Sequence, residues 1–207
     1  DSTEDADDDN DGLPDTEDQC PDGDSGWTPG NGSDYDSDGC QDLLEDTDDD
    51  NDGINDSKDL CPKGQLGWTS SEGTDYDSDG CSDLVEDTDD DNDQILDEFD
   101  SCPRGQLSWI STLVSDYDQD GCYDGTEDLD DDNDKALDSA DNCPRGDLNW
   151  TVDSTTDYDS DGCKDSTEDA DDDSDGIFDL SDNCPKGELG WLSNSATDHD
   201  SDGCRDS

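Results

Sequence analysis

Aspartate falls at alternate positions in short runs of this chain, and a glycine follows at a set distance. In Asp7, Asp9, Asp11, Gly12, Leu13, Asp15 and Asp18, acids take positions 1, 3, 5, 9 and 12 of a twelve-residue loop whose sixth residue is glycine. Asp34, Asp36, Asp38, Gly39, Cys40, Asp42 and Glu45 repeat the arrangement. A tight loop of this kind turns alternate carboxylates inward, adds the backbone carbonyl of residue 7 (Leu13 or Cys40), and closes a shell of about seven oxygens with the late acid. Hard oxygen ligands in that number suit Ca²⁺, whereas Mg²⁺ wants a rigid octahedron and keeps its waters. The chemistry to expect is cation chelation.

The pattern recurs along the whole chain. First-type loops follow at Asp48, Asp50, Asp52, Ile54, Asp56 and Asp59, at Asp89, Asp91, Asp93, Ile95, Asp97 and Asp100, at Asp130, Asp132, Asp134, Ala136, Asp138 and Asp141, and at Asp171, Asp173, Asp175, Ile177, Asp179 and Asp182. Second-type loops follow at Asp75, Asp77, Asp79, Cys81, Asp83 and Glu86, at Asp116, Asp118, Asp120, Cys122, Asp124 and Glu127, and at Asp157, Asp159, Asp161, Cys163, Asp165 and Glu168. Partial loops remain at Asp1 with Glu4 and at Asp198, Asp200, Asp202, Cys204 and Asp206, so nine loops are complete. Gln94 and Lys135 replace the glycine at position 6, and those two loops are expected to be weaker or strained. Carboxylates are left over at position 2 (Asp8, Asp49, Asp90, Asp131, Asp172) and just after the second-type loop (Asp5, Asp46, Asp87, Asp128, Asp169). They are expected to bridge neighbouring ions or to hold a further ion per repeat, beyond about two.

What positions these loops is a repeat. Trp27, Trp68, Trp109, Trp150 and Trp191 are 41 residues apart, and both cysteine sets keep that interval. The repeats read as 4–44, 45–85, 86–126, 127–167 and 168–207, with residues 1–3 ending a preceding one. Both ends fall inside a motif, which suggests a slice of a longer array stabilised by nearest-neighbour contacts. Between loops lie a fifteen-residue linker and a two-residue one such as Asp46-Thr47. The short linker has no room for helices, and the long one carries glycine, proline and tryptophan with no helical period. The fold class to expect is a linear, disulfide-linked array with little regular secondary structure, whose calcium loops are EF-hand-like but lack flanking helices.

Composition agrees. Asp+Glu number 69 against 8 Lys+Arg, a formal charge of −61. Leu, Ile, Val and Phe total 24 of 207 residues, too few for an ordinary core at that charge. Two carboxylates about 5 Å apart repel by roughly 3 kcal/mol at an effective dielectric of about 20, so a folded form needs positive counter-charge. The same field repels nucleic acid and anionic membrane surfaces, and no apolar run is long enough to insert in a bilayer.

The runs at residues 7–21 (Asp-Asp-Asp-Asn-Asp-Gly, then Asp15, Asp18, Cys20 and Pro21) and 34–40 (Asp-Tyr-Asp-Ser-Asp-Gly-Cys) resemble thrombospondin type 3 repeats, and the similarity covers the whole chain. The resemblance implies an extracellular calcium-loaded array in which ions form the core, disulfides join successive motifs, and the acids named above are ligands. The strict 41-residue period and the tryptophan linker depart from the thrombospondin pattern, and similar arrays occur in microbial surface proteins.

Ten evenly spaced cysteines indicate an oxidising compartment. Separations of twenty and twenty-one residues leave the connectivity open. Pairing Cys20–Cys40, Cys61–Cys81, Cys102–Cys122, Cys143–Cys163 and Cys184–Cys204 uses every cysteine and closes the tryptophan linker. The tryptophans read as small apolar plugs, or else as a row for recognising sugar or protein. Lys63, Arg104, Arg145 and Lys186, all following Cys-Pro, should pair with neighbouring carboxylates. Sequons at Asn31, Asn55 and Asn149 and Ser/Thr clusters in the linkers allow N- and O-glycans. No nucleophile-base pair recurs, and His199 is the lone imidazole, so no enzyme is expected. The functional expectation is a calcium-dependent extracellular structural protein of the cell surface or matrix, a stiff stalk, fibre or filament segment able to self-associate. The alternatives are an adhesin or glycan-binding module and, further off, a calcium store.

Overall fold

The structure, a computed structural model, describes residues 5–30 and 32–206. Among these residues there is no helix and no strand, only turns and bends. The chain folds as two compact units, Asp1–Trp109 and Ile110–Ser207. In each unit the twelve-residue loops are the building blocks.

Both loop types close by one rule. The amide of position 9 donates to the carbonyl just before position 1, as Asp56 N–H does to Thr47 (3.0 Å) and Asp83 N–H to Thr74 (3.1 Å) in the first unit. In the second unit Asp138 reaches Leu129 and Asp165 reaches Thr156, both at 2.9 Å. The partial loop near the end obeys it too, with Asp206 N–H on Thr197 (2.8 Å). Inside the loop, positions 4 and 6 are left-handed. Position 4 is asparagine in four first-type loops, as at Asn51 (φ 56°), and Ser174 in the fifth; in the second type it is a serine such as Ser78 (φ 63°), or Gln119. Asparagine tolerates that region because its short amide satisfies the local backbone.

Position 6 separates the two loop types. Gly80 (φ 91°) faces Asp59 of the other loop so closely that a Cβ would overlap its carboxylate. Gly53 (φ 98°) meets only a methyl of Thr69 at 3.8 Å. Gln94 (φ 80°) and Lys135 (φ 81°) therefore fit in the first-type loops, and their amides bond position 1 as Gly53 does (3.1, 3.0 and 3.1 Å). The expected strain is confined to a left-handed backbone at a non-glycine residue, and the loop geometry survives it.

The two loops of a repeat are joined back to back. Leu60 N–H donates to Asp79 C=O (2.7 Å), and Asn142 N–H to Asp161 C=O (2.8 Å). Disulfides lie beside these bonds: Cys20–Cys40, Cys61–Cys81, Cys143–Cys163 and Cys184–Cys204. Cys102 and Cys122 are disulfide-bonded as well, and no cysteine is free. Consecutive repeats are pinned by tyrosine. Tyr35 Oη donates to Gly64 C=O (3.0 Å), Tyr76 to Gly105 (2.8 Å), Tyr117 to Gly146 (2.9 Å) and Tyr158 to Gly187 (2.8 Å). The tryptophans are half-buried, apart from a buried Trp191.

The interior is carboxylate. The only buried apolar side chains among the described residues are Cys40, Cys81, Cys122, Cys163 and Trp191, while the largest fully buried ones are all aspartates. Leu43 is 85% exposed and Leu84 90%, so aliphatic burial does not hold the fold.

Gly80→Ala should therefore cost far more than a change at position 53 and should abolish the near-ultraviolet signature of that repeat. Gln94→Gly and Lys135→Gly should each stabilise by about 1 kcal/mol, read from calcium-saturated thermal melts. Equal responses at residues 80 and 53 would refute the steric distinction.

Candidate metal centre

The first four loops gather their first three acids. Ligand oxygens of Asp7, Asp9 and Asp11 lie within 4.8 Å of one another, as do those of Asp34/Asp36/Asp38, Asp48/Asp50/Asp52 and Asp75/Asp77/Asp79. Backbone amides orient them. In the first-type loop Gly53 N–H holds Oδ2 of Asp48 (3.1 Å), Asp52 N–H holds Oδ1 of Asp50 (3.2 Å), and Ile54 N–H holds Oδ1 of Asp52 (2.6 Å). Leu13, Ile95, Ala136 and Ile177 donate likewise to their position-5 acids, as do Cys40, Cys81, Cys122, Cys163 and Cys204 in the second type. In Asp50 both oxygens are spent, Oδ2 taking Gly64 N–H (2.7 Å), but in Asp48 and Asp52, at positions 1 and 5, one oxygen is left over. Oδ2 of Asp9, Asp11, Asp52 and Asp175 and Oδ1 of Asp48 and Asp130 are buried with no hydrogen-bond donor. Buried anionic oxygens without donors are costly unless a cation meets them, so the donor set fits a hard divalent ion.

Position 12 of the first-type loop carries the same kind of oxygen. Asp59 Oδ1 takes Cys61 N–H (2.6 Å), its Oδ2 has no donor, and it feels the charges of Asp50 and Asp52. Asp141 and Asp182 repeat this with Cys143 (2.6 Å) and Cys184 (2.5 Å). Asp18 bonds Cys20 N–H at 2.7 Å, and Asp100 bonds Cys102 N–H at 2.6 Å.

Other acids are placed differently from the simple loop scheme. Position 9 turns one oxygen to the amide of position 2: Asp15 to Asp8 (2.8 Å), Asp56 to Asp49 (2.9 Å), Asp97 to Asp90 (2.9 Å), Asp138 to Asp131 (2.9 Å) and Asp179 to Asp172 (3.0 Å). In the second type the same amide belongs to tyrosine, bonded by Asp42, Asp83, Asp124 and Asp165, and in the last repeat to His199, bonded by Asp206. Asp42 then forms a separate cluster with Asp46 and Asp49. Oδ2 of Asp46 and Oδ1 of Asp49 are buried there without donors, and the same holds for Asp128 with Asp131 and for Asp169 with Asp172. The position-12 glutamate bends back to its own turn. Glu45 takes Gln41 N–H (3.2 Å) and Asp24 N–H (2.8 Å), and Glu86, Glu127 and Glu168 accept the amides of Ser82, Tyr123 and Lys164.

One kind of participant is absent from the loop scheme. Asn51 Nδ2 donates to Asp36 and to Asp38 Oδ2 (3.2 Å), capping the preceding second-type loop, and Asn92 and Asn133 do the same. The sequence signal was asparagine at position 4 of four first-type loops. The basic residues pair as expected: Lys63 with Asp42 and Asp49, Arg104 with Asp83 (2.6 Å) and Asp90 (2.8 Å), Arg145 with Asp124 (2.6 Å) and Asp131 (2.9 Å), and Lys186 with Asp165 and Asp172. Each clasps the second-type loop of one repeat to the first-type loop of the next. The partial loop Asp1 with Glu4 lies outside the described residues. Asp198, in the other, is fully buried and accepts the amides of Asp202 (3.2 Å) and Gly203 (3.2 Å).

These features define a class: helix-free, disulfide-joined aspartate loops whose interior is a set of sites able to hold metal. Residues 156–187, one second-type loop with the first-type loop and Cys-Pro turn after it, match the thrombospondin type 3 repeat model. The same cysteine and aspartate register recurs every 41 residues, so the other repeats resemble the matched one, and the aspartate clusters fit a repeat calcium-binding array. No curated protein sequence matches it significantly. Repeats of this family are extracellular, non-catalytic, calcium-binding modules, and the oxidised cysteines agree with an extracellular protein. No helix among the described residues is long and apolar enough to cross a membrane.

Burial pushes the carboxyls of Asp52 and Asp59 up to about 6. Burial first, then the charges of Asp79 and Asp120, push Asp77 and Asp118 up to about 7. Without metal the folded chain thus binds protons more tightly than the unfolded one, so its stability rises as pH falls through 7 to 6 and is lost as pH rises. Calcium needs the same groups ionised, so its affinity should move oppositely, weakening from pH 7.5 to 5.5 in calorimetric titrations. Affinity flat across that window would contradict these ligands.

Proposed function

We propose that the chain is a stalk or fibre segment of an extracellular structural protein, at a cell surface or in a matrix, stiffened by calcium. The observation that carries this is that the most deeply buried side chains are all aspartates, several of which, such as Asp52, Asp134 and Asp175, keep an oxygen with no hydrogen-bond donor. Such an interior is self-repelling, and divalent ions are the counter-charge that closes it. Affinities in the extracellular range, about 10⁻⁴ to 10⁻³ M for single loops, would keep the array loaded outside cells.

On this reading each repeat takes one ion per loop, held by positions 1, 3 and 5 with the position-7 carbonyl. The position-12 acid joins in the first-type loop. The Asp42/Asp46/Asp49 cluster takes a third ion, shared between the second-type loop of one repeat and the next repeat. The clasp, the tyrosine pin and the disulfides then set the spacing between ions. Asn55 and Asn149 are exposed and available for N-glycans, while Asn31 lies outside the described residues. A recognition role for the tryptophan linkers is a second reading, favoured by the half-exposure of Trp27, Trp68 and Trp150.

Small-angle scattering with calcium should show a long, stiff particle that swells and softens when chelator is added, while the disulfides stay intact. Metal analysis of the loaded chain should give more than two ions per repeat, and Asp46→Asn should remove about one. A particle indifferent to chelator would end the structural reading.

A further inference from the structure

Ser70 stands between the two metal loops of its repeat. Its backbone N–H donates to the carbonyl of Asp52, position 5 of the first loop, at 2.8 Å. Its hydroxyl donates to Oδ2 of Asp75, position 1 of the second, at 2.5 Å. Asp75 has no exposed surface, so this hydroxyl replaces a water that cannot reach it. Ser193 makes the same two bonds, to Asp175 C=O (2.8 Å) and Asp198 Oδ2 (2.7 Å).

The chain contains its own variants at this register. Val152 keeps the amide bond to Asp134 C=O (2.9 Å) but has no hydroxyl for the fully buried Asp157. Pro29 has neither a hydroxyl nor an N–H, and in that repeat Oδ2 of the fully buried Asp34 has no donor. The loops still close at Asp42 and Asp165, so the serine is not needed for the loop to form.

We infer that the serine at this register is a positioning residue that couples the two calcium sites of a repeat. Closing the first loop sets the carbonyl of Asp52, which sets the amide and hence the hydroxyl of Ser70, which aims the first ligand of the second loop. A donor that orients a ligating carboxylate is worth about tenfold in metal affinity. The repeats therefore differ: those with serine load their two loops cooperatively, the valine repeat has a weaker second loop, and the proline repeat has independent loops. The inference rests on the calcium reading above.

The test is a calcium titration of the full ¹⁵N-labelled chain, read at single amides. Gly80 N–H donates to Oδ2 of Asp75 (3.2 Å), Gly162 N–H to Oδ2 of Asp157 (3.1 Å) and Gly53 N–H to Oδ2 of Asp48 (3.1 Å), so each reports one site. Ser70→Ala should raise the Gly80 midpoint about tenfold, leave Gly162 unchanged, and uncouple Gly80 from Gly53. Ser70→Thr should restore both, and Val152→Ser should lower the Gly162 midpoint by a similar factor. If Ser70→Ala and Val152→Ser leave their midpoints within about twofold of the parent, or threonine behaves as alanine, the coupling is wrong while calcium binding stands. Amides that ignore calcium altogether would overturn both readings.

Discussion

Repulsion among buried carboxylates is the constraint on which this architecture depends. At a separation of about 5 Å each pair costs roughly 3 kcal/mol, and few such pairs would exceed the whole stability of an ordinary domain. Here the fully buried residues are aspartates, and the leucines face solvent. Counter-charge must come from outside the polypeptide, since 8 basic residues face 69 acidic ones. The proposed ions supply it, and they also account for the absence of helix and strand among the described residues. Loop amides that would otherwise seek carbonyl partners donate to aspartate oxygens, so a carboxylate such as Asp48 or Asp52 settles backbone polarity with one oxygen and keeps the other without a donor, open to a cation.

Three kinds of link act alongside those sites, and they differ in what can undo them. Disulfides tie the two loops of a repeat and are indifferent to chelation. The basic clasps and tyrosine pins tie one repeat to the next by charge and by a single phenol, as at Arg104 with Asp83 and Asp90 and at Tyr76 with Gly105. The clasp residues are nearly half exposed, so each ion pair contributes little alone. Their value is geometric, because they hold acids of neighbouring repeats in one cluster. Loss of calcium would leave a chain with its connectivity intact and its interior charged.

The glycine at position 6 shows how much of this could be read from residues alone. Its recurrence marks a sharp turn in both loop types, and Gln94 and Lys135 stand out as departures. That these departures occur only in the first-type loop has a reason visible only in three dimensions: Gly80 is pressed against Asp59 of the other loop, and Gly53 meets nothing closer than a methyl of Thr69 at 3.8 Å. Spacing likewise could not choose between disulfides of twenty and twenty-one residues, since both close comparable loops, and the choice depends on which chain segments lie side by side.

Local chemistry was determined by the sequence itself. Alternating aspartates, a left-handed turn and a late acid are short-range features, so the loops, the 41-residue register and the basic partners of the acids follow from residue order. Only the tertiary structure decided which acids share a site. Asp42, outside its own loop's triad, groups with Asp46 and Asp49, Asn51 caps a loop fifteen residues back, and Ser70 joins Asp52 to Asp75. Those groupings arise where one loop packs on the next, and a carboxylate's oxygens can point to two different neighbours. Residue spacing within a single loop carries no record of that choice.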